Sequence, residues 1–169
     1  NLNKIYVMEG NENYMFHDDK FLCGKSDQNK ENFDVLILAV KNIENNLTIP
    51  DFIETISSFS FSDCNKLKSI KFSTNSKIEV IEKGAFYDSS IEKVTIPPSL
   101  FVLKWGWCMK TSNLINVSIL PDNQYYAMSK DGKFIYEETE DNQIALNFAV
   151  RDIQTVKIHP IINIIQSFA

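Results

Sequence analysis

A short apolar hexad recurs along the chain, and this recurrence limits the available folds more than any other feature. Written as L-x-x-L-x-L, with any aliphatic residue or Phe allowed, it fits Leu67–Phe72, Ile91–Ile96 and Leu114–Ile119, whose starts are 24 and 23 residues apart. It fits again at Leu2–Val7 and Ile153–Ile158, and at Ile43–Ile49 after one inserted residue. A period of roughly 20–30 residues marks stacked coils, in which no unit buries its apolar face without a neighbour. Alternation within the hexad predicts a strand with Ile70 and Phe72 inward and Lys71 outward.

A second motif follows the first. Ile56–Cys64 parallels Ile81–Ser89, and Leu103–Cys108 is a third copy. Pro-bearing turns, Ile49-Pro50 and Ile96-Pro97-Pro98, lie between the two motifs. Each unit reads as strand, turn, short apolar stretch, then a helical turn carrying a small–aromatic pair. The pattern predicts a core of Ile56, Phe61, Cys64, Leu67, Ile70, Phe72, Ile81, Ala85, Phe86, Ile91, Val94, Ile96, Leu103, Leu114, Val117 and Ile119.

The residues Ile49-Pro50, Ile56, Phe61, Cys64 and Leu67, then Ile81, Ala85, Phe86, Ile91, Ile96 and Pro97, carry a family signature. It resembles the BspA-like, Treponema-type leucine-rich repeats. The third unit departs from the pattern, with Trp107 and Cys108 in the Ala-Phe slots. In this it is similar to the long protist members of that family. The resemblance implies a strand-rich α/β leucine-rich-repeat solenoid with a parallel strand ladder, short helical turns and inserted β-hairpin modules. It also implies a non-enzymatic scaffold for protein–protein interaction, used in cell-surface adhesion or host and matrix binding.

A longer period is superposed. Asn1-Leu2 through Asn13-Tyr14 align with Asn113-Leu114 through Tyr125-Tyr126 at an offset of 112, and Lys20-Phe21-Leu22 with Lys133-Phe134-Ile135 at 113. Ala39–Ile43 aligns with Ala149–Ile153 at 110. The later insert reads as strands at Tyr125–Met128 and Lys133–Tyr136 around an Asp131-Gly132 turn, then a run at Ile144–Val150. The chain therefore divides into the end of a repeat (1–12), an inserted β module (13–46), three repeat units (47–121), a second module (122–152) and the start of a further repeat (153–169). Ending at Phe168-Ala169 without a polar cap, it reads as a segment of a longer solenoid.

Composition removes several functions. Of 17 basic residues only Arg151 is an arginine, and the net charge is −5. The phosphate-directed term that dominates nucleic-acid affinity is absent. No apolar run approaches the roughly 18 residues of a membrane span. Five glycines and no G-x-G pattern leave no phosphate loop. Three cysteines without a C-x-x-C spacing, and two histidines, His17 and His159, without ligand spacing, predict no disulfide framework, metal site or cofactor. Cys64 and Cys108 read as core; a Cys nucleophile served by His17 or His159 is the remote enzymatic alternative. Glu137–Asp141 reads as a solvated loop rather than a calcium site. Trp105 and Trp107 share a face if extended and diverge if helical, which leaves core packing or a sugar-stacking platform open. Two N-glycosylation sequons, Asn46-Leu47-Thr48 and Asn116-Val117-Ser118, are within chance for 17 asparagines.

Outward strand positions remain. Stacking aligns Tyr6, Thr48, Lys71, Thr95, Ser118 and Lys157 in one column, and Lys4, Asn46, Ser69, Lys93, Asn116 and Thr155 in its neighbour. Neither column holds an acid, although the chain is acidic. The candidate binding residues are Lys4, Tyr6, Lys71, Lys93, Thr95, Ser118 and Lys157. The partners implied are a protein with an acidic or glycosylated surface and neighbouring repeats of the same longer chain. An intracellular, cytoskeleton-associated scaffold is the alternative, since unpaired core cysteines suit a reducing compartment.

Overall fold

Alternating apolar and polar residues favour strands with one buried face, and strands dominate the computed structural model of the protein, which describes residues 4–43, 45–155 and 157–165. In chain order they are β1 (Tyr14–His17), β2 (Phe21–Gly24), β3 (Val35–Ala39), β4 (Asn45–Ile49), β5 (Thr55–Ile56), β6 (Leu67–Phe72), β7 (Val80–Ile81), β8 (Lys93–Ile96), β9 (Val102–Leu103), β10 (Asn116–Ile119), β11 (Tyr126–Met128), β12 (Phe134–Glu138), β13 (Ile144–Ala149) and β14 (Ile162–Ile165).

The fold is a β-solenoid. Each coil gives its hexad to a parallel sheet ordered β10-β8-β6-β4. Each then gives a two-residue strand, β5, β7 or β9, to a second parallel stack. Inward positions repeat in register: Leu47, Ile70, Val94 and Val117 on one wall, and Ile56 and Ile81 beside Leu103 on the next. Phe61, Phe86, Ile91, Ile96, Leu67, Leu114, Cys64 and Ala85 fill the space between, all fully buried. Phe72 and Ile119, expected in the core, are only half-covered and pack against its margin.

The third wall corrects the expected helical turns: no helix occurs among the described residues. Phe59, Gly84 and Gly106, at φ 61, 69 and 73, share a left-handed slot, and Asp63, Asp88 and Lys110 share another at φ 55, 53 and 60. Two left-handed residues per turn prevent i→i−4 bonding. The amides reach the next coil instead: Phe59 N to Gly84 O (3.2 Å), Gly84 N to Gly106 O (3.0 Å), Phe61 N to Ala85 O (2.8 Å) and Phe86 N to Trp107 O (3.0 Å). The turns thus form a third hydrogen-bonded ladder.

Aromatic rings thread the core. Successive centroids lie 6.4 Å apart for Phe21–Phe61, 5.2 Å for Phe61–Phe86, 5.8 Å for Phe86–Trp107 and 5.5 Å for Trp107–Phe148. In the third coil Trp107 stands in the Ala slot and Cys108 in the Phe slot. The large ring has moved by one position and still fills the column.

The two inserted modules are structural copies, down to a bulge. β1-β2-β3 and β11-β12-β13 are antiparallel, with register breaks at Leu22/Cys23 and Ile135/Tyr136. Each then pairs in parallel with the short strand of the following coil, β3 with β5 and β13 with β14. The first module is tied to that coil by Asp34, which is 1% exposed. Its carbonyl accepts the amides of Glu54 (2.8 Å) and Thr55 (3.1 Å). Its carboxylate accepts Ser26 N (2.8 Å), Ser26 Oγ (2.5 Å) and Lys30 Nζ (2.5 Å), and Lys30 also bridges to Glu54 (2.8 Å).

Each module acts as a wall with two faces. One face of the first module, with Phe21, Cys23 and Leu36, closes onto the coils that follow. The opposite face of the second module, with Tyr126, Ile135 and Phe148, closes the coils that precede it. At that joint Tyr126 Oη accepts Leu103 N (2.6 Å) and lies 3.3 Å from Phe101 O, and Asn147 Nδ2 donates to Leu103 O (3.0 Å). Asn123 Nδ2 donates to Pro97 O (2.7 Å) and Leu100 O (3.0 Å). Side chains thereby satisfy the free edge of β9, where an unpaired strand would otherwise invite association.

Candidate interaction surface

The outer face of the β4–β10 sheet is the surface that the repeats build most regularly. Asn46, Ser69, Lys93 and Asn116 stand opposite one another, and Thr48 and Lys71, then Thr95 and Ser118, form the adjacent row. A sheet exposed on one side needs polar residues there, and the hexad supplies them at its third and fifth positions. Two lateral hydrogen bonds lock the rows: Ser69 Oγ to Asn46 Oδ1, and Thr95 Oγ1 with Ser118 Oγ (3.1 Å). Ser69 is 7% exposed and its hydroxyl is already engaged. Lys71 and Lys93 are exposed and have no ion-pair partner among the described residues. By contrast, Lys68 at the rim pairs with Glu92 at 2.6 Å. The face therefore offers hydroxyls, amides and two ammonium groups, with no carboxylate in either row.

Four expected members of the two columns do not join it. Lys4 and Tyr6 lie in a segment without strand structure, Lys4 Nζ 4.8 Å from the Tyr6 ring centre and Tyr6 74% exposed. Lys157, like Thr155, is exposed and outside any strand. A strand needs a ladder partner, and each inserted module separates its flanking hexads in space. The described residues of the outer two hexads, 4–7, 153–155 and 157–158, consequently lie outside the four-strand ladder. Leu2 and Val156 of those hexads, and the chain end at Phe168-Ala169, fall outside the described residues. Both sequon asparagines, Asn46 and Asn116, lie exposed on the outer strands of the ladder, so a glycan at either would flank the lysines.

The turn ladder carries a second surface that the sequence pattern did not indicate. Phe59 is 50% exposed and meets the Tyr87 ring edge-on at 5.7 Å. Lys110 Nζ lies 5.0 Å from the Tyr87 ring, and Lys83 Nζ 3.8 Å from that of Trp105, which is 40% exposed. The available signal was an aromatic, Phe59, in a slot filled by Gly84 and Gly106 in the later coils. Trp107 is 1% exposed; the left-handed Gly106 between the two tryptophans sends one outward and one into the core, so they form no joint platform.

The cysteines have a different character. Cys23, Cys64 and Cys108 are free and buried. Burial pushes their thiols up, to about 12 for Cys23 and about 11 for Cys64 and Cys108. A thiol held that high is protonated at neutral pH and is a poor nucleophile. His17 packs edge-on against Phe52 (5.0 Å), and His159 Nδ1 accepts Ile161 N (3.3 Å). No cluster of three or more His, Cys, Asp or Glu suited to a metal ion occurs among the described residues. Glu138, Glu140 and Asp141 are exposed around the β12–β13 hairpin. No helix long and apolar enough to cross a bilayer occurs among the described residues.

A rigid parallel ladder with one polar outer face, closed at its ends by hairpin walls, defines a class: repeat solenoids that present surface. The BspA type leucine rich repeat region matches residues 39–155 in six copies, and the chain belongs to that family. Among solved structures it is similar to a leucine-rich cell-surface protein of Faecalibacterium prausnitzii, at 18% identity and a TM-score of 0.60, over 72% of this chain and 31% of that one. It is also similar to the pneumococcal vaccine antigen PcpA, at 28% identity and a TM-score of 0.63, over 73% of this chain and 30% of that one. The chain thus corresponds to under a third of the length of either protein. No curated protein matches the sequence.

Proposed function

We propose that this chain is a non-enzymatic scaffold that binds an acidic protein partner through the outer face of the β4–β10 sheet, and that it does so at a cell surface, in adhesion. The observation that carries the reading is the acid-free double row containing Lys71 and Lys93, in a chain of net charge −5. Segregated charge of this kind steers and orients an oppositely charged partner. The similarity to a bacterial leucine-rich cell-surface protein and to a pneumococcal vaccine antigen supports the location.

Titration with poly-glutamate at low ionic strength tests the face. The double variant Lys71→Glu/Lys93→Glu is expected to bind at least about tenfold more weakly and with a shallower salt dependence. Glu138→Lys, on the exposed hairpin, is the control; Glu137 is unsuitable because it reaches the Tyr126 hydroxyl. Equal binding by wild type and the double variant, or no binding by wild type, overturns the reading. A second reading, an intracellular scaffold, rests on the three unpaired buried cysteines. It predicts that fractionated source cells retain the protein inside, beyond the reach of protease added to intact cells.

A further inference from the structure

The turn ladder holds one bulky residue in a backbone conformation that its counterparts give to glycine. Phe59, Gly84 and Gly106 occupy the same slot at φ 61, 69 and 73. Glycine adopts this region without strain, and a large side chain there is an outlier. The later coils show that the ladder forms without a ring in this slot. The first coil keeps one, outside the core cluster and 50% exposed. Strain retained by a side chain that the core does not use points to a role at the surface.

The Phe59 ring lies over Gly84, 3.0 Å from where a Cβ would stand, and meets Tyr87 edge-on at 5.7 Å. On one side of Gly84 in the second coil, Lys83 Nζ sits 3.8 Å from the Trp105 ring centre; on the other, Tyr87 carries Lys110 Nζ at 5.0 Å. Both lysines are exposed, and neither has a carboxylate within ion-pair distance among the described residues. Of the two acids whose charge acts on Lys110, Asp63 bridges to Lys41 (3.8 Å) and Asp88 is exposed. Both ends of this ladder are closed inside the chain. Ala39 N of the first module bonds Ser60 O (2.9 Å), and Phe148 of the second module packs on Trp107 of the third coil.

We propose that this ledge binds an acidic glycan, with the C–H face of a pyranose on the Phe59 ring and uronic carboxylates on Lys83 and Lys110. A pyranose presents one face of C–H bonds, which packs on an aromatic ring, and a rim of hydroxyls that both donate and accept. Asp88 supplies an acceptor and Ser58 a hydroxyl, both exposed. An ammonium group held over a ring keeps its outward N–H groups for an anion. An acidic peptide fits less well, because an extended chain adds to free backbone groups and the turn amides are engaged with the next coil. Phe59 N bonds Gly84 O (3.2 Å), Gly84 N bonds Gly106 O (3.0 Å), Asp63 N bonds Tyr87 O (3.0 Å) and Asp88 N bonds Met109 O (3.0 Å). The site is distinct from the lysine rows of the β4–β10 sheet and does not depend on them.

Calorimetric titration of the whole chain with a hexasaccharide of alternating uronic acid and N-acetylhexosamine gives the test, with a neutral chitin hexasaccharide and hexaglutamate as comparison ligands. Wild type is expected to bind the acidic sugar in preference to both. Phe59→Gly puts the residue of the later coils into the slot, so the ladder is kept while the ring is removed. This variant is expected to bind at least about tenfold more weakly, at low and at high salt alike. Lys83→Gln/Lys110→Gln, at exposed positions, carries the test should Phe59→Gly fail to fold. It is expected to bind the acidic sugar no better than the neutral one. Lys77→Gln/Lys130→Gln removes the same charge from exposed lysines elsewhere and is expected to keep the preference. An absence of binding by wild type, unchanged affinity in Phe59→Gly, equal losses in the two lysine pairs, or hexaglutamate bound as tightly as the acidic sugar each overturn the proposal.

Discussion

Exchanging Trp107 and Cys108 for the Ala-Phe pair of the preceding coil tests whether the aromatic column, rather than either side chain, is what the third coil needs. Trp107 is 1% exposed and touches Phe86 and Phe148. Trp107→Ala alone opens a large void in a packed core and is expected to cost about 3–5 kcal/mol. Cys108 is equally buried, with Arg151 Nη2 3.6 Å from its sulfur. Cys108→Phe alone forces a ring into filled space and is expected to cost about 1–3 kcal/mol. Together the changes put the ring back in the slot used by Phe61 and Phe86. The new Phe regains the contact with Phe86 but not the full reach to Phe148, so a residual loss of about 1–2 kcal/mol remains.

The double variant should therefore be more stable than Trp107→Ala alone. Its coupling energy should be at least about 2 kcal/mol, favourable and at the upper end for residues sharing one cavity. Urea unfolding followed by circular dichroism, with equal m-values required across the four proteins, gives the cycle. Additive losses, or a double variant weaker than Trp107→Ala, would show that the slots are not interchangeable and that the column is incidental.

Gly84 sits at φ +69 with the Phe59 ring 3.0 Å from where a Cβ would stand, whereas Gly132, at φ +71, has nothing within 4 Å. Gly132→Ala should cost about 1–2 kcal/mol for the left-handed backbone alone, and Gly84→Ala measurably more in the same thermal melts, because Phe59 must also move. Burial raises the Asp34 carboxyl, but hydrogen bonds from Lys30 and Ser26 outweigh it and hold the group low, at about 2. A depressed carboxylate stabilises above its unfolded value of about 3.9 and loses that contribution as pH falls towards 2; Asp34→Asn should flatten the stability profile below about pH 4 and leave the remaining dependence in place. All three thiols should resist a disulfide reagent at pH 8 in the native protein and react together on unfolding; rapid labelling of one would point to a nucleophile.

The long-range order of this fold is legible because it repeats. The hexads at 67, 91 and 114 encode strand, face and register at once, and Tyr14 and Tyr126 mark equivalent modules 112 residues apart. Two things were not legible. The stretch ending in Ala85-Phe86 has the small–aromatic spacing of a helical turn, yet its amides bond the adjacent coil; only Gly84 and Gly106 hint at the left-handed slots, and Phe59 occupies the same slot without being glycine. Lys4, Tyr6 and Lys157 match the hexad as well as Lys71 does, but a pattern does not say which copies are neighbours in space. The modules decide that, by standing between one block of coils and the next.

That arrangement also limits what the lysine face can do alone. Four strands about 4.8 Å apart make a surface about 15 Å wide, and the strands are four to six residues long. Such a patch is of order 300 Å², well below the roughly 800 Å² per partner of a standard stable interface. One face should hold an acidic partner weakly. Affinity must then come from several faces held in fixed relation, where each bound contact raises the local concentration of the next. Two copies of the chain joined by a short linker supply a second face at close range. The joined pair is accordingly expected to match the single chain in affinity per face for a short glutamate peptide in solution, while being retained on a dense poly-glutamate surface at least about tenfold more strongly. Equal retention of the single and joined chains would mean that the faces act singly, and that the partner also contacts another part of the molecule, for which Phe59, 50% exposed beside Tyr87, offers an aromatic surface.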